Sequence, residues 1–421
     1  MSAPLHVVIV DSYAPTKLLA DEFRKAGATL VRVQSTREIP KVYEGSFSLD
    51  DYVDNIVHGG DLAATAHAVA AYSPVAVVAG GEVGVEFADA LSSELGLPTN
   101  GVGLSEARRD KYVQIETVKA AGLAGAYQSK PSSAEELAEW HRSVGGRIVV
   151  KPLRSAAGDG IFFCDTPEES AAAFDRLVGA TNVFSDVNTG VVAQEYLRGT
   201  EYMVNTVSLN GRHHVTDIWR TTRISANGVI DLVDAAYLMQ RRGEVQDQLA
   251  AYAAGVLDAL GIQHGPAHVE VKMTSRGPVL VEMGARICGG NLPHYAQVTL
   301  GESQLDLAAA AYLDPERFLE RCGTDYPKGP FMASVTLVSP VEGVFAGFPH
   351  MDELEALESF NDVRGALQPG QPIHPTVNDM GYPLMVTLLH ESEETVLRDA
   401  NTIRYLDGPG FYALAADGEQ E

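Results

Sequence analysis

Cysteine is scarce: the 421 residues contain three, Cys164, Cys288 and Cys322, with no C-x-x-C spacing. Three thiols cannot all pair, which fits a reducing cytoplasm better than a disulfide framework. Long apolar runs are missing too. The most apolar 20-residue window, near residues 62–81, is broken by His67, Ser73 and Pro74 and does not suit a membrane span. The N-terminal run LHVVIV stops at Asp11 and lacks the basic start and longer apolar core of a signal peptide. Positive charge is in short supply, with 31 Lys and Arg against 56 Asp and Glu and a net charge of −25. Phosphate backbones and anionic membranes are bound by clustered cations, so no nucleic-acid or membrane partner is expected. Neither G-x-G-x-x-G nor G-x-x-x-x-G-K-[ST] occurs, which argues against a nicotinamide oxidoreductase and against a P-loop.

What is present is an alternation. Apolar runs at 5–10, 28–33 and 75–79 are separated by helix-like stretches at 15–26 and 61–71 and followed by another at 83–95, which predicts a doubly wound parallel sheet over the first hundred residues. Past residue 104 the pattern shifts to helices at 110–121 and 133–142. Strand-like runs follow at 147–151, 191–197, 202–209, 213–220, 267–273 and 279–283, which suits α+β lobes. The expected domains are 1–104, 105–190, 191–328 and a β-rich 329–421. His213 and His214 are expected to be one exposed and one packed, and Trp140 and Trp219 to pack.

The sharpest chemical signal is HVEVKM at 268–273, followed by TSRGP and VLVE. In a strand, His268, Glu270 and Lys272 share one face. A three-residue hairpin loop at 275–277 then sets Glu270 opposite Glu282. Like charges directly opposed destabilise a strand pair unless something positive lies between them. A hard divalent cation, Mg²⁺ or Mn²⁺, satisfies two carboxylates, and so does a solvated hairpin neutralised by Lys272 and Arg286. Three further segments carry weaker signals. Lys151 ends a strand before the small-residue loop SAAGDG at 155–160, which suits either a phosphate cradle or an ordinary surface turn. Arg109-Asp110-Lys111 opens a helix, whose positive end attracts phosphate. Finally, QEYLRGTE at 194–201 places Glu195, Tyr196, Leu197 and Glu201 around a short hinge.

Taken in order, RDK at 109–111, KP…SAAGDG at 151–160, QEYLRGTE at 194–201, HVEVK at 268–272 and EMGAR at 282–286 resemble the ATP-grasp superfamily, and within it the carboxylate–amine ligases that join L-amino acids. GGEVGVE at 80–86 also looks like that branch. The resemblance implies a Rossmann-like N-terminal domain, two α+β lobes clasping ATP and a β-rich C-terminal region. It implies ATP phosphates at Lys111, Lys151 and a closing loop with Ser155, Gly158 and Gly160, adenine at Glu195, Tyr196 and Leu197, and ribose at Glu201. Mg²⁺ (or Mn²⁺) falls to Glu270 and Glu282, the transferred phosphate to Arg286, and a substrate amino group to Glu82. Many relatives carry E-x-N-x-R where this chain has Glu282-Met283-Gly284-Ala285-Arg286, so a second metal has only Asn291 as a candidate ligand. Gly289 and Gly290 leave space for an acyl group, and a homodimer is common among such ligases.

The resulting expectation is an ADP-forming ligase that makes an acyl phosphate and then an amide, with Lys151 and Arg286 carrying the chemistry. Such a reaction needs charge neutralisation and exclusion of water. The alternatives are a bicarbonate-using carboxylase of the same fold and a non-catalytic nucleotide-binding module.

Overall fold

The computed structural model describes residues 5–13, 17–156 and 158–415. β1 (Leu5–Val10), α1 (Leu18–Lys25), β2 (Ala28–Gln34), β3 (Asp54–Val57), α2 (Leu62–Ala70), β4 (Ala76–Ala79) and α3 (Val85–Glu94) form the expected parallel sheet, in the order β3-β2-β1-β4. β1 is buried on both faces: Val7 and Ile9 pack with Leu19 and Phe23, while Val8 and Val10 pack with Val69 and Leu91. Two-sided burial is why LHVVIV is unbroken by polar residues. The first helix, expected from residue 15, is described from Leu18, and residues 14–16 lie outside the described ones. The short edge strand β3, half-exposed and four residues long, is an addition to the expected sheet.

Next come α4 (Lys111–Ala120), β5 (Gln128–Ser129), α5 (Ala134–Val144), β6 (Ile148–Pro152), β7 (Phe162–Cys164), α6 (Pro167–Leu177) and β8 (Val191–Glu195), with a sheet ordered β5-β8-β6-β7. Side-chain caps start the helices: Asp110 at α4, Ser133 at α5, and a Thr166–Glu169 capping box at α6. Leu137, Ala173 and Leu177 of the two later helices bury Ile148, Val150 and Val191 of the sheet.

The chain continues through β9 (Thr200–Leu209), β10 (Arg212–Ala226), β11 (Val229–Leu238), α7 (Glu244–Ala259), β12 (His264–Thr274), β13 (Gly277–Gly284), α8 (Leu292–Leu300), α9 (Gln304–Leu313) and α10 (Pro315–Arg321). It ends with β14 (Phe331–Thr336), β15 (Gly343–Gly347), α11 (Met351–Glu355), β16 (Phe360–Arg364), β17 (Pro372–Ile373), β18 (Met385–His390), α12 (Glu393–Leu406) and β19 (Ala413–Leu414). The chain divides into two compact units, Met1–Ile218 with Arg241–Pro327, and Trp219–Gln240 with Lys328–Glu421. In the first, β13-β12-β9-β10 are neighbours; β10 runs on past Ile218, and in the second β10-β11-β14-β18-β16 are neighbours. The second unit has its own core of Val335, Val386, Leu388, Val396, Ile403 and Phe411.

The β12–β13 hairpin differs from expectation at its tip. It turns through Ser275 and Arg276, and Thr274 pairs with Gly277, so the loop is one residue shorter. The Thr274 hydroxyl accepts from the Arg276 amide at 3.0 Å and donates to the Gly277 carbonyl at 2.9 Å, which closes the tighter turn. The pairs beside the tip are therefore shifted by one. A bulge between the Glu270 and Val271 pairs takes up the extra residue, and Glu270 does face Glu282. His213 and His214 are both largely covered, because Ser208 and Asp258 hold the first while the second is 1% exposed. Trp219 is fully buried, and Trp140 stacks on Tyr127 with ring centres 5.6 Å apart. All three cysteines are free thiols. Among the described residues no helix is long and apolar enough to cross a membrane.

Candidate active site

The N-terminal sheet reverses its strand order between β1 and β4, and such a switch point opens a crevice beyond the carboxyl ends of the strands. Residues 11–13 and 80–82 leave the sheet there. Glu82 is 5% exposed and pairs with two guanidiniums, those of Arg109 and Arg286, the latter through Nε at 2.9 Å. Burial alone would raise the Glu82 carboxyl, but Arg109, Arg286 and Lys111 outweigh it and hold the group below its ordinary range. Arg286 is itself held charged: burial works against its charge, and Glu82, Glu270 and Glu282 more than offset that.

Asp110 caps α4 by accepting from the amides of Tyr112 and Val113, so Lys111 occupies the first helical position. The Lys111 amide donates to the Leu153 carbonyl at 3.0 Å. Its ammonium donates to the Ser155 carbonyl at 2.7 Å and to Glu282 at 2.8 Å. One lysine thus ties the helix, the 155–160 loop and the metal-type hairpin together. Lys151, on β6, is 4% exposed and forms no ion pair among the described residues. Burial pushes its ammonium down to about 8, and Lys111 adds to this while Glu282, Glu270 and Glu201 oppose it. In the loop, Ser155 is buried, Gly158 and Gly160 have φ of +76° and +70°, and a Cβ on Gly160 would meet Pro152 at 2.8 Å. Ala157 lies outside the described residues. Arg154 makes a two-pronged pair with Glu86 at 2.8 and 2.9 Å, anchoring the loop's start to α3.

On the hairpin, the charges of Glu270 and Glu282 act on Arg286 as expected, and further partners join them. Lys272 pairs with Glu201 at 3.6 Å and Arg286 with Glu82, whereas Glu282 takes Lys111 and Glu270 takes His268 Nε2 at 3.1 Å. His268 Nδ1 meets Asn205 Oδ1 at 2.8 Å, and Asn205 in turn donates to Asp217 at 2.5 Å. Among the described residues no set of three or more His, Cys, Asp or Glu side chains converges to hold a metal. Two facing carboxylates still fit Mg²⁺, which typically takes one or two protein carboxylates and completes its octahedron with phosphate oxygens and water.

The remaining expected residues are more dispersed. Glu195 accepts from the Tyr127 amide at 2.9 Å and from Arg276 at 2.6 Å, so its carboxylate is committed to the hairpin tip. The Tyr196 ring lies 5.4 Å from the Lys272 ammonium and 5.6 Å from the Arg147 guanidinium. Leu197 follows β8, half-buried. Glu201 is buried on β9. Gly289 and Gly290 have open space where a Cβ would project. Asn291 precedes α8, and among the described residues no contact joins its amide to Glu270 or Glu282. Sequence reading named Arg109 and His268 within motifs without giving them a role, and gave none to Arg154 or Asn205. Arg109 was the most accessible of these, since it adjoins Lys111 in a segment already singled out.

Comparison with known proteins gives the same direction. Residues 144–293 match the ATP-grasp domain family. The chain is 33% identical over 417 residues to dapdiamide A synthase of Enterobacter agglomerans, covering 97% of each, and 23% identical over 213 residues to the alanine–anticapsin ligase of Bacillus subtilis, covering 47% of this chain and 45% of that one. The fold matches the crystal structure of the L-amino acid ligase from Bacillus licheniformis with a TM-score of 0.77 at 18% identity, over 99% of this chain and 100% of that one. With a relative of this identity along nearly its whole length, the chain belongs to the ATP-grasp superfamily, in its carboxylate–amine ligase branch, whose members form amide bonds at the expense of ATP.

Proposed function

We propose that this ligase joins two amino acids or close relatives through an acyl phosphate, with ADP rather than AMP as the nucleotide product. The observation that carries the reading is the continuous ion-pair network Arg109–Glu82–Arg286 beside Lys111–Glu282, with Lys151 buried next to it. An oxygen of the donor carboxylate attacks the γ-phosphorus, the bond to the ADP oxygen breaks, and an acyl phosphate forms. The nitrogen of the second substrate then adds to the carbonyl carbon, phosphate leaves, and the nitrogen gives up a proton. Negative charge accumulates on phosphoryl oxygens in the first step and on the carbonyl oxygen in the second.

In this reading Lys111, Lys151 and the amides of Ser155, Gly158 and Gly160 face the phosphates, and Arg286 steadies both the transferred phosphoryl group and the tetrahedral oxygen. Glu270 and Glu282 hold Mg²⁺ or Mn²⁺, which supplies further charge neutralisation to the phosphates; Asn291 is the candidate for a second ion. Glu195, Tyr196 and Leu197 border adenine, and Glu201 the ribose. Glu82, kept ionised by its arginines, suits a substrate ammonium group, and Gly289 and Gly290 make room for the acyl side chain. The names of the relatives, a dapdiamide synthase and a ligase of alanine and anticapsin, support amino-acid-like substrates. We take the enzyme to act as a cytoplasmic homodimer. The test is phosphate release over paired amino acids with mass detection of products. ADP and an amide product are expected, whereas AMP, or no nucleotide turnover with any pair, would refute the reading.

A further inference from the structure

Arg32 on β2 is an anomaly in the N-terminal sheet. It is fully buried, and its guanidinium lies 4.9 Å from the centre of the Tyr13 ring and 4.9 Å from that of Phe47. Nη1 donates to the neutral side chains of Asn55 at 2.9 Å and Gln34 at 3.2 Å. Nε and Nη2 find no acceptor among the described residues. These two nitrogens share one edge of the guanidinium, the edge that takes a carboxylate side-on. The chain shows that geometry twice elsewhere: Arg147 holds Asp165 through Nε and Nη2 at 2.7 and 2.8 Å, and Arg321 holds Glu302 through the same pair at 2.8 and 2.5 Å. Among the described residues no carboxylate meets the fork of Arg32. The acid nearest in influence is Asp11, but it is occupied by Ser35, and burial raises its carboxyl above the ordinary value. A buried cation without a paired carboxylate is costly, and its retention calls for an anion that the described residues do not place on this edge.

The location supplies the class of anion. Tyr13 leaves the carboxyl end of β1 at the switch point and stacks on Tyr43 with ring centres 4.6 Å apart and planes 3° from parallel. The Tyr43 hydroxyl feels the charges of Arg286, Glu82 and Arg109. Arg32 is therefore two stacked rings away from the cluster at which a substrate is read.

We propose that the Nε/Nη2 edge of Arg32 is a subsite for a carboxylate carried by one of the two substrates and not consumed in the reaction. It is either the α-carboxylate of the amine substrate or a distal carboxylate of the acyl donor. The edge is shut off from solvent, so the carboxylate reaches it by displacing one of the flanking rings, Tyr13 or Phe47. The subsite rests on the ligase reading above.

The test compares kcat/KM, followed by ADP release, for paired substrates that differ only in acid against carboxamide. One series uses amino acids against amino-acid amides as the amine substrate; the other uses Asp or Glu against Asn or Gln as the donor. A preference for the acid of at least tenfold, expressed in KM, is expected in one series, and which series shows it identifies the source. Arg32→Gln brings that ratio towards one, and Arg32→Lys, which keeps charge but not the fork, retains part of it. A general loss of activity from disturbed packing would leave the ratio unmoved. Equal use of acid and amide by the unmodified enzyme, or full preference in Arg32→Gln, overturns the subsite. Should both variants fail to fold, the comparison on the unmodified enzyme decides alone. Absence of ADP with every pair would refute the ligase reading instead.

Discussion

Lys151 offers a sharp test because holding its buried charge is a source of strain. Its ammonium is pushed from 10.5 to about 8, chiefly by burial. At 1.36 kcal/mol per unit, that drop corresponds to a penalty of about 3 kcal/mol for holding the charge in the folded protein. Methionine has similar length and no charge, so Lys151→Met should unfold in urea with up to about 3 kcal/mol more stability at pH 7. The sign with pH is fixed. Between about 8 and 10.5 the unfolded chain holds a proton that the native lysine has lost, so the stability of the unmodified enzyme rises through that window. The variant's advantage shrinks accordingly. The same substitution should abolish the stabilisation by Mg–ATP, which for a ligand at a hundred times its Kd amounts to about 2.7 kcal/mol. A Lys151→Met protein less stable than its parent at pH 7, combined with a parent whose stability is flat from pH 8 to 10, would refute the argument. An unchanged KM for ATP in Lys151→Ala would remove the phosphate role as well.

Glu282→Gln should lower ADP release by at least about a hundredfold, the scale for losing one preorganised charge contact, with the melting temperature nearly unchanged; near-normal turnover would cancel the metal assignment. Glu82→Gln leaves Arg109 and Arg286 facing a neutral amide and should cost about 3–5 kcal/mol in urea unfolding, the range for breaking a buried pair. Because the Glu82 carboxyl is lowered in the fold, its contribution is present above the unfolded value near 4.5 and is lost as pH falls through the native one. A cost under about 1 kcal/mol would show that the arginines find other counter-charges. Trp at position 290 should narrow the range of acyl donors, but Gly290 has φ of +63°, so it should also cost about 1–2 kcal/mol of backbone strain. Gly289→Trp, without that constraint, should narrow acceptance at no such cost; unchanged donor selectivity in both would exclude this wall.

The sequence revealed most where one physical rule dominated. Two-sided burial made β1, β2 and β4 visible, and period-two alternation placed His268, Glu270 and Lys272 on one face. The Glu270–Glu282 pairing was reached through a loop that proved one residue shorter, and a bulge restored the register; the right pair came from two deviations that cancel. Bulges leave no reliable mark in a single sequence, since they depend on how both strands pack. β11 and the sixteen-residue α7 went unnoticed between 220 and 267, the first because VIDLVDAAYL has no clean alternation. Partner choice at the site was also hidden. Arg286 and Lys272 are close in sequence to the hairpin acids, and their ion pairs to Glu82 and Glu201 were not foreseen, because such pairings are set by how separate elements meet.

The division of the chain has a consequence for its synthesis. Trp219–Gln240 belongs with Lys328–Glu421, so the hairpin of β10 and β11 emerges from the ribosome about 90 residues before β14, the strand that pairs with β11. At typical elongation rates that is a wait of roughly 5–20 s, during which the outer edge of β11 offers unpaired backbone groups to any neighbouring strand. A chain ended near Pro327 would keep that edge open permanently. Such a truncation should aggregate instead of yielding a smaller enzyme, and the clean way to remove the second unit is to excise Trp219–Gln240 together with the C-terminal segment.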